Sequence, residues 1–176
     1  MTSDFKPGAW RDFKPGVYRH YKDGHYYQVL FVAYFDGPTE GLKADQDVFI
    51  AYDENPGLGR QPFLTARSDS PEEWRSNGID WLFYLFTARA HAHYSPGTHV
   101  AVYCPLYANK PGRRISVRDV YEFTEEVCSD CGAGKRTDLA DLPEPLRRQY
   151  ENIHLEGAAR WIPRFTYVGD TIPEAK

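Results

Sequence analysis

Methionine occurs once in these 176 residues and cysteine three times. A single Met leaves no reserve of the adaptable thioether side chains that fill loosely packed helical cores, and three Cys, an odd number, cannot make a closed disulfide framework. Long apolar runs are missing as well. WLFYLF, Trp81 to Phe86, falls far short of the roughly 20 residues that a bilayer span needs, so no membrane partner is expected. The stretch MTSDFKPGAWRDFKPG has neither the basic start nor the apolar run of a secretory signal, and the chain reads as cytoplasmic. Net positive charge is also lacking: at −4, with a pI near 5.9, no global field exists to hold a phosphate backbone by counterion release. Nonspecific nucleic-acid coating is therefore disfavoured.

Signatures of chemistry are equally scarce. There is no Gly-x-Ser-x-Gly, no Walker loop, no His-Glu-x-x-His and no dinucleotide fingerprint, and GAGKR lacks the spacing and the Ser or Thr of a phosphate loop. Asp45, Asp47, Asp53 and Glu54 fall on expected loops, where solvation and turn-making explain carboxylates. Nothing specifies an enzyme, and no cofactor is expected.

What the chain does hold is aromatic. Apolar residues make up 41% and aromatics 15%, including 13 Tyr, a composition suited to pleated sheets and broad contact surfaces. DFKPG occurs twice within residues 1–16, which read as an extended arm with two Lys-Pro-Gly turns. Val17 to Lys22 and His25 to Phe35 then form the two strands of a hairpin, with Asp23-Gly24 as its two-residue turn. Further strands are expected at Asp47 to Tyr52 and Gln61 to Arg67, and a short helix holding Trp74 is expected after Ser70-Pro71.

The same order recurs beyond Asn77-Gly78: IDWLFYLFTARAHAHY, a strand at His99 to Tyr107, and a strand from Arg113 to Phe123 that runs into a turn or short helix. Asp23-Gly24 with Asn77-Gly78, Val48 with Val100, Gly59-Arg60 with Gly112-Arg113, and Arg67 with Arg118 are spaced by 54, 52, 53 and 51. A period that holds across four landmarks predicts two diverged copies, residues 17–74 and 77–127. Residues 128–176 follow as a connector, a helix from about Glu144 to His154, and a closing strand from Arg160 to Val168 whose Pro163 should lie at an edge or bulge.

PGVYRHYKDGHYYQVLFVA, VAVYCPLYANKPGRRISVRDVYEF and the closing IPRF together resemble the bacterial family called domain of unknown function 1653. Its pattern has a Gly-[Ile/Val]-Tyr-[Arg/Lys]-His-Tyr-Lys-Gly opening, a Val-Val-Tyr-x-x-Leu-Tyr strand, a Trp-Val-Arg-Pro strand and a terminal Pro-Arg-Phe. Here Asp23 precedes the expected Gly24, Ser116 stands for the Trp and Asp119 for the Pro. The resemblance implies a compact SH3-like barrel in a bacterial or phage setting, with no established activity. The fold expected is thus mainly β with a C-terminal helix, built as one elaborated or two tandem SH3-like units.

Alternation places Tyr18 and His20 on one face of the first strand, with Arg19 and Tyr21 on the other. Together with Tyr103, Tyr107, Arg118 and Arg164, these residues could stack on a planar ring and hold a phosphate. The alternative is that they are structural residues, buried and hydrogen-bonded. His91 and His93, two apart in an expected strand, share a face and could reach one metal if a partner strand supplied a third ligand; exposed residues beside a turn explain them as well. Cys128 and Cys131 have the bite of a zinc or redox pair but lack its other half, and a plain connector is the default.

The reading that best joins these features is a noncatalytic β-barrel that binds a nucleotide-like or other phosphorylated small molecule, acting by sequestration if at all. A protein or peptide interaction module is the second reading, and a metal-dependent enzyme is the third. Oligomeric state is open.

Overall fold

The computed structural model describes residues 13–53, 63–107, 114–134, 144–145, 147–148 and 160–173. The described chain opens with β1 (Gly16–His20), β2 (Tyr26–Phe35), β3 (Asp47–Asp53), β4 (Phe63–Arg67) and α1 (Pro71–Ser76). It continues as β5 (Leu82–Ala90), β6 (His99–Pro105), β7 (Ser116–Asp119) and α2 (Val120–Thr124), and ends with β8 (Glu126–Cys128), β9 (Trp161–Pro163) and β10 (Phe165–Gly169). Six strands, in the order β2-β4-β3-β5-β7-β6, close on one another because β6 pairs back to β2. β1 and β10 extend this closed barrel from the early part of β2, and β8 with β9 forms a separate small ladder.

Length explains how β2 serves three neighbours. Over its ten residues it pairs with β6 along one edge, while the other edge takes β1 at Tyr26 to Val29 and β4 at Tyr34 and Phe35. Both edges of a strand can be filled in this way only if it outruns its partners.

The interior core is mostly small and β-branched side chains, among them Ala33, Val48, Ile50, Ala88, Val100 and Val117, joined by Phe35, Leu42 and Tyr94. Small interior residues suit so few strands, whose closed ring has little room inside. Alternation along β6 sends Val100 and Val102 into that interior and Ala101 and Tyr103 to a second, outer core with Tyr18, Val29, Phe123 and Phe165. A third cluster gathers under α1 around Trp74. That helix is set by Ser70, whose hydroxyl accepts from the Glu73 N–H while Glu73 accepts from the Ser70 N–H, a reciprocal cap.

The pairings recur at fixed separations. Phe35 pairs in parallel with Ala66, and Ala90 with Val117; Ile50 lies opposite Ala66, and Val102 opposite Val117. Val48 faces Ala88, and Val100 faces Ala33. Leu30 and Leu85 are each skipped by the register of the opposing strand, so both long strands bulge at the same place. Leu42 bridges to Tyr94, and Asp45 (φ 62°) and Gly97 (φ 91°) both adopt left-handed backbone in the loops that follow. Residues of β2 thus correspond to those of β5 at a separation of 55, β3 to β6 at 52 and β4 to β7 at 51. Each set of three strands supplies half of one barrel, and neither set pairs into a ring by itself.

Two local readings change, and a third falls largely outside the described residues. The first hairpin turns through four residues rather than two: the His20 and Gly24 N–H groups donate to the His25 and His20 carbonyls, and Asp23 accepts from the His25 N–H. That side-chain bond stabilises the wider loop. The closing strand is split at Arg164 into β9 and β10, with Pro163 at the break. Of the helix expected from Glu144 to His154, only residues 144, 145, 147 and 148 are described; they are helical, and both Arg147 and Arg148 pair with Glu144. The rest of that segment, residues 1–12 of the arm, and Gly59, Arg60, Gly112 and Arg113 of the spacing argument lie outside the described residues.

Candidate functional site

The aromatic stretch on β1 and β2 meets β6, β7, α2 and β10 in the outer core, and the eight residues expected to grip a ligand divide there into three groups. Tyr18 and Tyr103 pack. Tyr18 stacks on Phe13 at 5.5 Å and donates its hydroxyl to the Lys14 carbonyl at 2.8 Å, and burial pushes its phenol up to about 12. Tyr103 meets Phe123 edge-on at 5.4 Å. Arg19 forms the second group alone: it is exposed, and its guanidinium lies beside Gly24.

The third group converges. His20, half-buried, packs its ring 4.8 Å from Phe165 and 4.9 Å from Tyr21, with Tyr27 at 6.2 Å. Tyr27 shares a hydroxyl contact of 3.0 Å with Tyr107, and Tyr107 stacks on His25 at 4.1 Å. Beneath this rim lie Arg118 on β7 and Arg164 between β9 and β10. The Arg164 Nε donates to Glu125 at 3.1 Å and its Nη2 donates to the same oxygen, so its charge is matched. Arg118 is only 7% exposed, sits 5.7 Å over the Phe165 ring and donates through Nη2 to His91 Nε2. Its buried Nε has no hydrogen-bond partner among the described residues.

Electrostatics ties the group together. Burial lowers the His20 pKa, against the pull of Asp23, and both arginines lower it further. His91 keeps an exposed face, yet desolvation of its ring, Arg118 and Arg164 bring it down to about 4, so at neutral pH the uncharged imidazole can offer Arg118 the lone pair of Nε2. Glu122, which accepts from the Tyr94 hydroxyl at 3.2 Å, lies within reach of Arg118, yet burial outweighs that attraction and pushes its carboxyl up.

The corresponding residue in the other half is Arg67, and its surroundings differ. Arg67 holds Asp69 through two bonds of 2.8 and 2.7 Å, with Asp36 at 3.6 Å and Trp74 under its guanidinium at 5.9 Å. At the separations set by the strands, His91 stands where Asp36 does and Val120 where Asp69 does. Arg118 therefore has neither of the carboxylates that surround Arg67 at the matching positions. Sequence reasoning picked out Arg118, but it passed over Tyr27, Glu122 and Phe165 and took His91 as a metal candidate. The 55-residue separation, applied to Asp36, would have pointed to His91.

Asp36 itself gives a pH-dependent prediction. Burial raises its carboxyl to about 6 despite Arg67. A folded-state pKa above the unfolded one contributes stability that is complete below about pH 4 and lost as pH rises through about 6. Asp36→Asn should therefore be more stable than the native chain above pH 6, by about 1 to 2 kcal/mol after allowing for solvent screening, with the gap closing toward pH 4. Urea denaturation at a series of pH values measures it.

The metal candidates do not assemble. β5 ends at Ala90, so His91 and His93 lie in the following loop and share no strand face: His91 turns to Arg118, while His93 is exposed beside Gly41. At that point the Asp45 N–H donates to the Ala90 carbonyl and the Ala90 N–H donates to the Gln46 carbonyl. Cys128 ends β8 and Cys131 sits in the turn beyond; both are free thiols. Burial pushes the Cys128 thiol up, but N–H groups of Cys131 and Asp130 and the Cys131 thiol together hold it below its ordinary value, while burial and Cys128 push Cys131 up. Among the described residues no three His, Cys, Asp or Glu side chains gather as a metal would require, and no helix is long and apolar enough to cross a membrane. No family model matches the chain, and no match is found among curated proteins or solved structures.

Proposed function

We propose that this protein is a noncatalytic binding barrel whose Arg118 end takes an anionic, ring-bearing small molecule of the nucleotide type. One comparison within the chain carries the reading: Arg118 occupies the position of Arg67 without either of its carboxylates, and its Nε lacks a partner among the described residues. A guanidinium that is desolvated and not paired is costly unless an incoming anion completes it. The half-buried rings of His20, Tyr21, Tyr27 and Tyr107 supply the stacking side of the same site. Such a site needs no covalent step, and sequestration of a phosphorylated signal would be sufficient activity.

The recurring strand separations support a duplicated origin as part of this proposal, with the barrel as an SH3-like unit enlarged by copying. On that reading the two arginines began alike, and one half kept carboxylates around its guanidinium while the other exchanged them for a ligand. Calorimetric titration against mono-, di- and cyclic nucleotides tests the function. Binding is expected for at least one of them and should be lost in Arg118→Met; no heat with any member of the panel overturns the proposal.

A further inference from the structure

Cys128 and Cys131 take no part in the site at Arg118, yet the turn that carries them is tightly built. The Gly132 N–H donates to the Cys128 carbonyl at 2.8 Å and the Cys128 N–H to the Ala133 carbonyl at 2.9 Å, with Val127 bridging to Gly134 just outside. Gly132 makes the return with left-handed backbone (φ 75°), which a side chain there would resist. Inside this loop the two sulfurs meet. The Cys131 thiol donates to the Cys128 sulfur, which also accepts from the Asp130 and Cys131 N–H groups, and the Ala133 N–H donates to the Cys131 sulfur. Access differs between them: Cys128 is 0% exposed, whereas Cys131 is half-buried.

Two sulfurs in contact can share a metal or join to each other. A metal needs further ligands, and among the described residues no third His, Cys, Asp or Glu gathers with this pair. A disulfide needs only the pair itself. We propose that Cys128 and Cys131 form a reversible disulfide by exchange with a low-molecular-weight disulfide of the glutathione type. Cys131, the reachable thiol, attacks one sulfur of glutathione disulfide; the glutathione S–S bond breaks, a Cys131–glutathione bond forms, and the leaving thiolate takes the Cys131 proton. Cys128 then attacks the Cys131 sulfur; the bond to glutathione breaks, the Cys128–Cys131 bond forms, and a second glutathione thiol leaves with the Cys128 proton. Two protein thiols are oxidised and one glutathione disulfide is reduced. The product is a switch rather than a staple for two reasons. Its ring closes only residues 128–131, so it constrains the unfolded chain little. The N–H groups around Cys128 outweigh its burial and favour its thiolate, which stabilises the reduced form and makes the disulfide easier to open. The turn also lies against the proposed site, since a Cβ at Gly132 would come within 2.6 Å of the Tyr21 hydroxyl oxygen. Any change in ligand affinity on oxidation rests on the binding reading; formation of the bond does not.

Mass spectrometry of the full chain after exposure to excess glutathione disulfide tests this. The native protein should lose two hydrogens at this pair, with peptide mapping placing the bond between Cys128 and Cys131 and leaving Cys104 out of it. Dithiothreitol should restore both thiols. Cys128→Ser should stop at a glutathione adduct on Cys131, and Cys131→Ser should leave the buried Cys128 unmodified while the chain is folded. In graded glutathione buffers the oxidised and reduced forms should coexist. A native chain that accumulates the Cys131 adduct, that keeps both thiols free, or that holds zinc which blocks the exchange overturns the inference, as does a bond that reduced glutathione cannot open. These readouts need no nucleotide, so their failure is separate from failure of the titration that tests the binding reading.

Discussion

Phe123→Ala is expected to lower the unfolding free energy by about 3 to 5 kcal/mol, the range for deleting a fully buried aromatic ring. Phe123 is 0% exposed and lies at the centre of the outer core, with its ring stacked on Phe165 at 3.9 Å and 5° and edge-on to Tyr18 at 5.1 Å. It projects from α2, a helix of five residues, too short to hold together without tertiary packing. The loss should be uneven. The outer core joins β1, β10 and α2 to the barrel, while the interior core is a separate set of side chains. Amide exchange should therefore speed up in β1, β10 and α2 and change little in β3 and β4. Uniform acceleration across all strands would show that the two cores unfold as one. Because Arg118 lies over Phe165, the same substitution should also loosen the proposed ligand site.

Arg67→Met should cost about 2 to 4 kcal/mol, whereas Arg118→Met should stay within about 1 kcal/mol of the native chain. The side chain removed is the same, and so is its place in the barrel. What differs is what each deletion leaves behind. Without Arg67, Asp69 loses both its charge-assisted bonds and Asp36 loses the one opposite charge that offsets its burial. Without Arg118, His91 loses a donor that it can do without as a neutral ring, and Glu122, which makes no ion pair with Arg118 among the described residues, loses only an attraction that its burial already outweighs. Removal also relieves the unpartnered Nε. Denaturant titrations of the two variants side by side measure the difference. Equal costs would mean that Arg118 is as well compensated in the free protein as Arg67, and the argument from its missing carboxylates would fail.

Much of the local structure was legible from the sequence. Ser70-Pro71 with Glu73 announced α1, and β-branched and aromatic runs announced β3, β4 and β6, since capping and strand formation depend on residues a few positions apart. The Asp23-Gly24 turn was right in place and wrong in width, because one side-chain bond from Asp23 outweighed the preference for a two-residue turn. Tyr18 and His20 illustrate the limit for the site. Alternation put both on one face, but Tyr18 is sealed against Phe13 and Phe123, while His20 two residues on is half-buried among Tyr21, Tyr27 and Phe165.

The order of letters alone determined the class of structure and where several of its turns and the capped helix α1 fall, because those preferences are settled within a few bonds of each residue. Closure of the ring, the pairing of β2 with β4 and of β5 with β7, and the different company of Arg67 and Arg118 were decided only by tertiary structure. Contacts between segments tens of residues apart carry no local signal. Whether a charge meets a carboxylate or a neutral imidazole depends on which strands the barrel brings side by side.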